Sequence, residues 1–153
     1  IKGTLNKIYH CVFRGYVNDN GVIDLPLKSD SSDLMLAATT QYEKIKQIEL
    51  PYAVGKRHST ARYSLVKVKP KTGRYHQIRR HFDQIFHPLL GDATHGDSYH
   101  NRFFREQLGI QGLCLRATQL EFYHPLQEKT ILITADLQEP KWLKISDLFQ
   151  WIY

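Results

Sequence analysis

Residues 61–86 have the sequence ARYSLVKVKPKTGRYHQIRRHFDQIF, in which a strand pattern changes into a helix pattern. Its first part is rich in β-branched and aromatic residues and predicts a strand. The apolar alternation shifts at Leu65-Val66, which indicates either a bulge or burial on both faces. Over residues 74–86 apolar residues recur every three to four positions and predict an amphipathic helix. Thr72 is placed to cap this helix, and Pro88 to end it.

Strands dominate the rest of the chain. They are predicted at residues 7–14, 22–25, 36–42, 44–50, 113–117, 120–123 and 130–135. Asn20-Gly21 predicts a tight turn that pairs the first two as a hairpin. A second helix is predicted after Pro140, and residues 91–112 are predicted to be an ordered loop with at most a short helical turn at 102–108. These elements predict an α+β fold with a mostly antiparallel or mixed sheet, in one domain over residues 1–153.

Positive charge is concentrated in one segment. The chain has 21 Lys and Arg against 15 Asp and Glu, a formal net charge of +6, and a pI near 9.3. Residues 56–81 hold nine Lys or Arg, three His and no acidic residue. Such a segment lets phosphates displace counterions, and Tyr63 and Tyr75 offer faces on which bases can stack. The pattern favours nucleic acid, with a solvated basic face as the alternative.

The predicted helix places its polar residues on distinct faces. Arg74 borders the apolar stripe, and since a guanidinium stays charged, it should meet a carboxylate or a phosphate. Arg79 and Arg80 face away from the stripe and are candidates for phosphate contacts. Gln77 and His81 lie on the edge beside Arg74, where they could hydrogen-bond a base or hold the arginine. For His81 alone, a structural hydrogen bond is favoured over a catalytic role.

Several other classes of site are disfavoured. His95, Asp97 and His100 are close in sequence, but their spacing matches no metal-ligand set, so neither a metal site nor a metal-dependent hydrolase is predicted. Cys11 and Cys114 lack the spacing of a thiolate site or a disulfide framework, which favours the reducing cytoplasm. No apolar run approaches the roughly 18 residues of a membrane span, so no membrane association is predicted.

The basic segment contains a recognisable motif. Residues 69–81, KPKTGRYHQIRRH, followed by HPLLGD at residues 87–92, resemble the G-R-x-H-Q-I-R-x-H block of RluA-type RNA pseudouridine synthases. Lys7-Ile8-Tyr9 resembles the K-x-Y strand of that family, and residues 113–125 resemble its later strand ending in His-Pro. The resemblance covers most of the chain from residue 7 to about residue 135.

A finer resemblance lies in the loop that follows the motif. The sequences THGD at residues 94–97 and HNR at residues 100–102 are more similar to the branch that modifies tRNA at position 65 than to the ribosomal RNA enzymes. The partner implied is therefore RNA, with tRNA favoured. An enzyme of the same family specific for ribosomal RNA stays an alternative, as does a non-catalytic RNA-binding module.

The resemblance also implies a reaction and its residues. The family breaks the bond between ribose and uracil N1 and rejoins the ribose to C5, which requires no cofactor. An aspartate attacks the substrate, Tyr9 stacks on the flipped uracil and is positioned to take the C5 proton, and Arg74 pairs with the aspartate. Without the resemblance, Tyr9 would be interpreted as a core aromatic. The predicted RNA-binding residues are Arg62, Lys69, Lys71, Tyr75, His76, Gln77, Arg79, Arg80 and His81.

The aspartate of this scheme belongs to an R-L-D-x-x-T-S-G-like motif that the family places before the K-x-Y strand. Residues 1–153 contain no such motif, and Asp19 and Asp24 follow Tyr9 beside the predicted turn. We therefore expect the chain to be the C-terminal part of the catalytic domain. The nucleophile would lie on a missing amino-terminal segment or on a second chain, and the chain alone would be inactive.

Overall fold

A computed structural model describes residues 5–153, and its central feature is a six-stranded sheet. The strands are β1 (Leu5–Arg14), β2 (Asn20–Asp24), β3 (Leu27–Lys28), β4 (Met35–Leu36), β5 (Thr39–Leu50), β6 (Ala61–Pro70), β7 (Leu115–His124) and β8 (Lys129–Thr134), and the helices are α1 (Gln77–Gln84), α2 (Ser98–Gln107) and α3 (Pro140–Phe149). The sheet has the order β2-β5-β6-β1-β7-β8 with antiparallel neighbours, and β3 pairs with β4 separately. The predicted α+β class is confirmed.

The two central strands, β6 and β1, are buried on both faces. Along β1, Cys11 and Phe13 belong to one apolar cluster and Val12 to another. Successive side chains of a strand point to opposite faces, so the two clusters lie on opposite sides of the sheet. Leu65 and Val66 of β6 divide between the clusters in the same way. The phase shift in the sequence therefore reflects burial on both faces, and the irregularity in register falls on β5.

Helix α1 covers one face of the sheet. Phe82 stacks on Phe13 of β1 with ring centroids 3.7 Å apart, and Ile78 is buried in the same cluster. Burial of one such side chain contributes about 1.5–3 kcal/mol. The packing fixes the amino end of α1 near β1 and the end of β6.

Helices α2 and α3 cover the opposite face. Their buried residues are Phe103, Phe104, Trp142, Ile145 and Phe149. Pro140 stands in the first turn of α3, as the sequence predicts. Across residues 5–153, none of the helices combines the length and the apolar character that crossing a bilayer requires.

The predicted hairpin at Asn20-Gly21 is wrong. These residues lie inside β2, which pairs with β5 and not with β1. The glycine permits a close approach, since a Cβ at Gly21 would lie 2.6 Å from the Tyr42 hydroxyl oxygen. The predicted interruptions at residue 43 and at residues 118–119 are also wrong, because β5 and β7 each run through as one strand.

Helix α1 begins three residues later than the apolar pattern predicts. The Gln77 side-chain oxygen accepts hydrogen bonds from the Arg74 backbone N–H (3.0 Å) and from the Thr72 hydroxyl (2.7 Å). Thr72 is therefore not the cap that the sequence predicts. The residue before the helix is His76, whose φ of 48° lies in the left-handed region. Residues 74–76 form a separate turn in front of the helix.

Helix α2 is a full ten-residue helix where the sequence predicts a loop with a short turn. Its apolar side chains, Phe103 and Phe104, are adjacent and give little helical periodicity. The start of the helix is instead set by Asp97, which caps it by accepting from the backbone N–H groups of Tyr99 (3.0 Å) and His100 (3.4 Å).

We expect the Asp97→Ala variant to lose about 1–2 kcal/mol in free energy of unfolding, measured by urea denaturation, because the helix loses its cap. The same carboxylate also pairs with Arg14, which would lose its acidic partner. Asp30→Ala, which removes an exposed acid in a loop, is the matched control. Equal stability of the two variants would show that the cap contributes nothing.

Candidate active site

Tyr9 and Arg74, the two predicted catalytic residues of this chain, line the same cavity. It has a volume of about 300 Å³, at the lower end of the range for small-ligand sites. Strand β1 supplies Tyr9, the turn before α1 supplies Arg74, and Leu113 and Leu115 contribute apolar surface. The remaining lining residues are Lys7, Pro70, Thr72, Gly73, His76, Gln77, Ile78 and Arg79.

Tyr9 is half-buried at an irregular point of the sheet. It pairs with Val68 on one side and Ala117 on the other, and the register of β1 against β7 shifts between Ile8 and Tyr9. Burial, with a smaller contribution from Cys11, raises the pKa of Tyr9. The phenol is therefore protonated at neutral pH, where it can donate a hydrogen bond and present a ring face to the cavity.

Arg74, for which the sequence predicts a carboxylate or phosphate partner, meets no carboxylate among residues 5–153. Its Nε donates to the Ala37 carbonyl oxygen (2.9 Å), and among residues 5–153 it forms no ion pair. Its side chain lies at the cavity edge because the turn at 74–76 precedes the helix instead of forming its first turn. The arginine is thus held at one nitrogen and leaves the rest of its guanidinium available.

Arg79, predicted to reach outward to a phosphate, is instead the arginine that pairs with a carboxylate. Its Nε and Nη2 each donate to Asp92 at 2.8 Å, a bidentate pair in which the Asp92 side chain is fully buried. Burial alone would raise the pKa of Asp92, but the hydrogen bonds from Arg79, His95 N–H and Thr94 N–H lower it to about 2. Asp92 therefore holds Arg79 in place on the cavity wall.

His76 lies beside this ion pair and contacts three side chains, those of Arg79, His95 and Tyr75. Arg79 Nη1 lies 3.0 Å from His76 Nε2, and His76 Nδ1 lies 3.4 Å from His95 Nε2. Tyr75 stacks on His76 with ring centroids 3.8 Å apart and is exposed. Burial and the charge of Arg79 lower the pKa of His76, so its neutral form accepts the arginine's N–H.

Two predicted RNA contacts are engaged inside the protein. His81 is fully buried, with Nδ1 2.7 Å from the Thr40 hydroxyl oxygen and Nε2 2.8 Å from the Leu25 carbonyl oxygen. Its burial and these two contacts favour the structural hydrogen bond for His81 over a contact with RNA. Gln77 is also buried, and its amide nitrogen donates to Thr39 and Thr40.

The remaining predicted RNA-binding residues divide between the two ends of β6. Lys69 and Lys71 lie near the Tyr9 cavity, at or just beyond the carboxyl end of β6, whereas Arg62 lies at the other end, about 25 Å away at the rise of a strand. Arg62 is paired with Glu49 (2.8 Å). Arg80 donates to the backbone oxygens of Tyr75 and Lys28, so it braces the loop in front of α1. The single basic stripe of the sequence is therefore two separate surfaces.

The three residues considered as metal ligands, His95, Asp97 and His100, do not come together as a metal site. His95 contacts His76, Asp97 caps α2, and His100 lies 2.7 Å from the Tyr63 hydroxyl oxygen. Within residues 5–153, no group of three or more His, Cys, Asp or Glu side chains is placed to hold a metal ion.

Two residues that shape this site, Asp92 and Lys7, are not among the functional residues that the sequence predicts. Asp92 belongs to the quoted HPLLGD segment and closely follows the apolar Leu89 and Leu90. This position is the signal that could have marked it, because an Asp that is buried beside apolar residues requires a partner. Lys7, in the K-x-Y strand, adds an amine to the cavity lining.

Comparison with known proteins identifies the family. The sequence model of the family described as RNA pseudouridylate synthase matches residues 2–84. The chain is 40% identical to tRNA pseudouridine synthase C of Vibrio cholerae serotype O1, over 96% of this chain and 64% of that protein. It is 39% identical to tRNA pseudouridine synthase C of Yersinia pestis, over 96% of this chain and 60% of that protein. The chain thus spans less than two thirds of the length of these relatives.

Solved structures agree on the fold. The human RNA pseudouridylate synthase domain containing 1 protein aligns with a TM-score of 0.68 and 21% identity, over 90% of this chain and 57% of that one. The human domain containing 4 protein aligns with a TM-score of 0.66 and 20% identity, over 95% and 62%. Because the family model spans more than half of the 153 residues, the chain belongs to the RNA pseudouridylate synthase family, of the RluA type.

Proposed function

We propose that this chain is part of an enzyme that isomerises a uridine of tRNA, at position 65, to pseudouridine. The observation that carries the proposal is the cavity that Tyr9 and Arg74 both line, in a chain of this family. The choice of tRNA is supported by the names of the Vibrio and Yersinia relatives. Residues 1–153 form one domain of a cytoplasmic protein in this proposal, and the partner is RNA.

Tyr9 supplies an aromatic face and a phenol to the flipped uracil. A base that is turned out of its stack needs a ring to replace its stacking partner, and the half-buried Tyr9 offers one. The reaction moves a carbon–nitrogen bond to carbon within one nucleoside, so it involves no net redox change, and we propose no cofactor. In the last step Tyr9 takes the C5 proton while its own phenolic proton passes to uracil N1, the nitrogen that the ribose has left, so the base keeps the same number of protons.

The nucleophilic carboxylate is proposed to come from outside these residues. Among residues 5–153, no Asp or Glu lines the Tyr9 cavity. Asp92 is unsuited to the role, because its two oxygens accept from Arg79, Thr94 N–H and His95 N–H and its side chain is fully buried. On this proposal the isolated chain binds RNA weakly and isomerises nothing.

Two arginines are candidates to bind that carboxylate. Arg74 is the residue that the family resemblance favours, and most of its guanidinium has no partner among the described residues. Arg79 lines the same cavity and is oriented by Asp92, so it is the better ordered of the two. Either would keep an incoming aspartate ionised, since a neighbouring cation lowers the pKa of a carboxylic acid.

A pseudouridine assay with two polypeptides tests the proposal. The 153-residue chain and the same chain extended upstream through an Arg-Leu-Asp motif are each incubated with tRNA transcripts and with ribosomal RNA fragments. We expect product only from the extended form and only with tRNA. Turnover by the short form would refute an external nucleophile, and product from ribosomal RNA alone would establish the rRNA-specific alternative. RNA binding without product by both forms would favour a non-catalytic module.

A further inference from the structure

A second and larger cavity lies at the other end of the central strands. Its volume is about 890 Å³, and it shares no lining residue with the Tyr9 cavity. It is formed where β1 ends, where residues 51–60 connect β5 to β6, and where the loop after α1 approaches the start of α2. Neither the family motif nor the Tyr9 cavity accounts for it.

The lining of this cavity is strongly basic. Arg14, Lys56, Arg57 and Arg62 line it, and within residues 5–153 Asp97 is the one carboxylate among the lining residues. Arg14 pairs with Asp97, and Arg62 pairs with Glu49. Lys56 and Arg57 are exposed and make no hydrogen bond or ion pair with any described residue. Arg14 and Arg62 are thus held in place on the cavity wall by ion pairs. Among the described lining residues, Lys56 and Arg57 are the two cations available to bind an anion.

Two exposed aromatic rings line the same cavity as these cations. The Phe86 side chain is 81% exposed, and its φ of 66° is unusual for a bulky residue. Its carbonyl oxygen accepts from Arg14 Nη2 at 3.2 Å, so the backbone that presents the ring is anchored to the cavity wall. Tyr99 is 55% exposed and also lines the cavity. Water-exposed aromatics next to cations are the combination that binds unpaired nucleotides.

We propose that this cavity binds an unpaired nucleotide of the RNA, with its phosphate against Lys56 and Arg57 and its base against Phe86. A duplex backbone lies along a surface, whereas an unstacked nucleotide can enter a concave site. Tyr9 and Arg14 are five positions apart on β1, so their Cα atoms are about 17 Å apart along the strand and their side chains lie on opposite faces of the sheet. The contact therefore fixes the RNA several nucleotides from the target uridine. This proposal rests on the proposed function, in which RNA is the substrate.

RNA binding by the polypeptide extended upstream through an Arg-Leu-Asp motif, followed by fluorescence anisotropy with labelled tRNA over a series of salt concentrations, tests this site. We expect Lys56→Ala/Arg57→Ala to weaken binding about tenfold and to lower the slope of log affinity against log salt by about 1 to 2. Phe86→Ala should weaken binding about fivefold or more and leave the slope unchanged, because a stacked base is lost without a charge. These side chains are exposed, so folding should be retained, as circular dichroism will show.

Lys129→Ala/Arg105→Ala is the matched control, since it removes two exposed cations that line neither cavity. If the Lys56/Arg57 variant matches this control while Arg74→Gln still reduces binding, the second site is refuted and the proposed function stands. Full affinity of Phe86→Ala would refute nucleotide binding in this cavity. An upstream-extended wild-type polypeptide that binds no RNA at all would overturn both proposals.

Discussion

Replacement of Asp92 by asparagine should lower the free energy of unfolding by about 3–5 kcal/mol, the largest loss we expect from one isosteric change. The substitution keeps the size of the side chain but leaves the Arg79 guanidinium without an anion in a site that is mostly closed to water. It also weakens the acceptor for the backbone N–H groups of Thr94 and His95. Urea denaturation followed by circular dichroism measures the loss.

A double-mutant cycle separates the ion pair from the rest of the loop. Arg79→Gln alone should also destabilise, because it leaves the buried Asp92 carboxylate unpaired, while Asp92→Asn/Arg79→Gln should recover part of the sum. Glu49→Gln is the control, since it breaks the exposed pair with Arg62 and should change stability by less than about 1 kcal/mol. Strict additivity of the Asp92 and Arg79 variants would contradict coupling between them.

The same pair predicts how stability depends on pH. The pKa of Asp92 is lowered to about 2 in the folded protein, against about 3.9 for an unperturbed Asp. A depressed carboxyl pKa contributes stability that is fully present above about pH 4 and is lost as the pH falls toward 2. The Asp92→Asn variant should therefore lose less stability than the wild type between pH 4 and pH 2.

Local signals in the sequence predict the elements that carry this site. The strand containing Tyr9, the strand of residues 61–70 and the following helix each show their own apolar period, which depends on neighbouring residues alone. The identification of the G-R-x-H-Q-I-R-x-H block also needs no tertiary information. These features are enough to predict the fold class and to predict that Tyr9 and Arg74 share one site.

Other features depend on residues that are distant in the chain. The sequence of Asn20-Gly21 fits a turn, but the tertiary pairing of β2 with β5 and the Tyr42 ring decide its conformation. A helical projection places Arg79 on the side of α1 that faces away from the apolar stripe. The loop after α1, however, places Asp92 where its carboxylate accepts from the Arg79 guanidinium. Counting charges along residues 56–81 likewise does not show that Arg62 and Lys69 lie at opposite ends of β6.

The second large effect concerns turnover. In a polypeptide extended upstream through an Arg-Leu-Asp motif, as we propose, Tyr9→Phe should lower the rate of pseudouridine formation by about 10²- to 10⁴-fold, the usual contribution of a group that transfers a proton. The affinity for tRNA should stay within about threefold, because the phenylalanine ring keeps the stacking face. Single-turnover assays and anisotropy measure the two quantities separately.

The predicted split between rate and affinity follows from the environment of the phenol. Burial raises the pKa of Tyr9, so the resting group is protonated, and it can accept the C5 proton only as its own proton passes to uracil N1. Removing the oxygen should therefore affect the proton-transfer step and leave binding nearly unchanged. Tyr52→Phe, which deletes an exposed hydroxyl outside both cavities, should leave both quantities unchanged. Full turnover by Tyr9→Phe would mean that the ring alone is needed and that another group receives the proton.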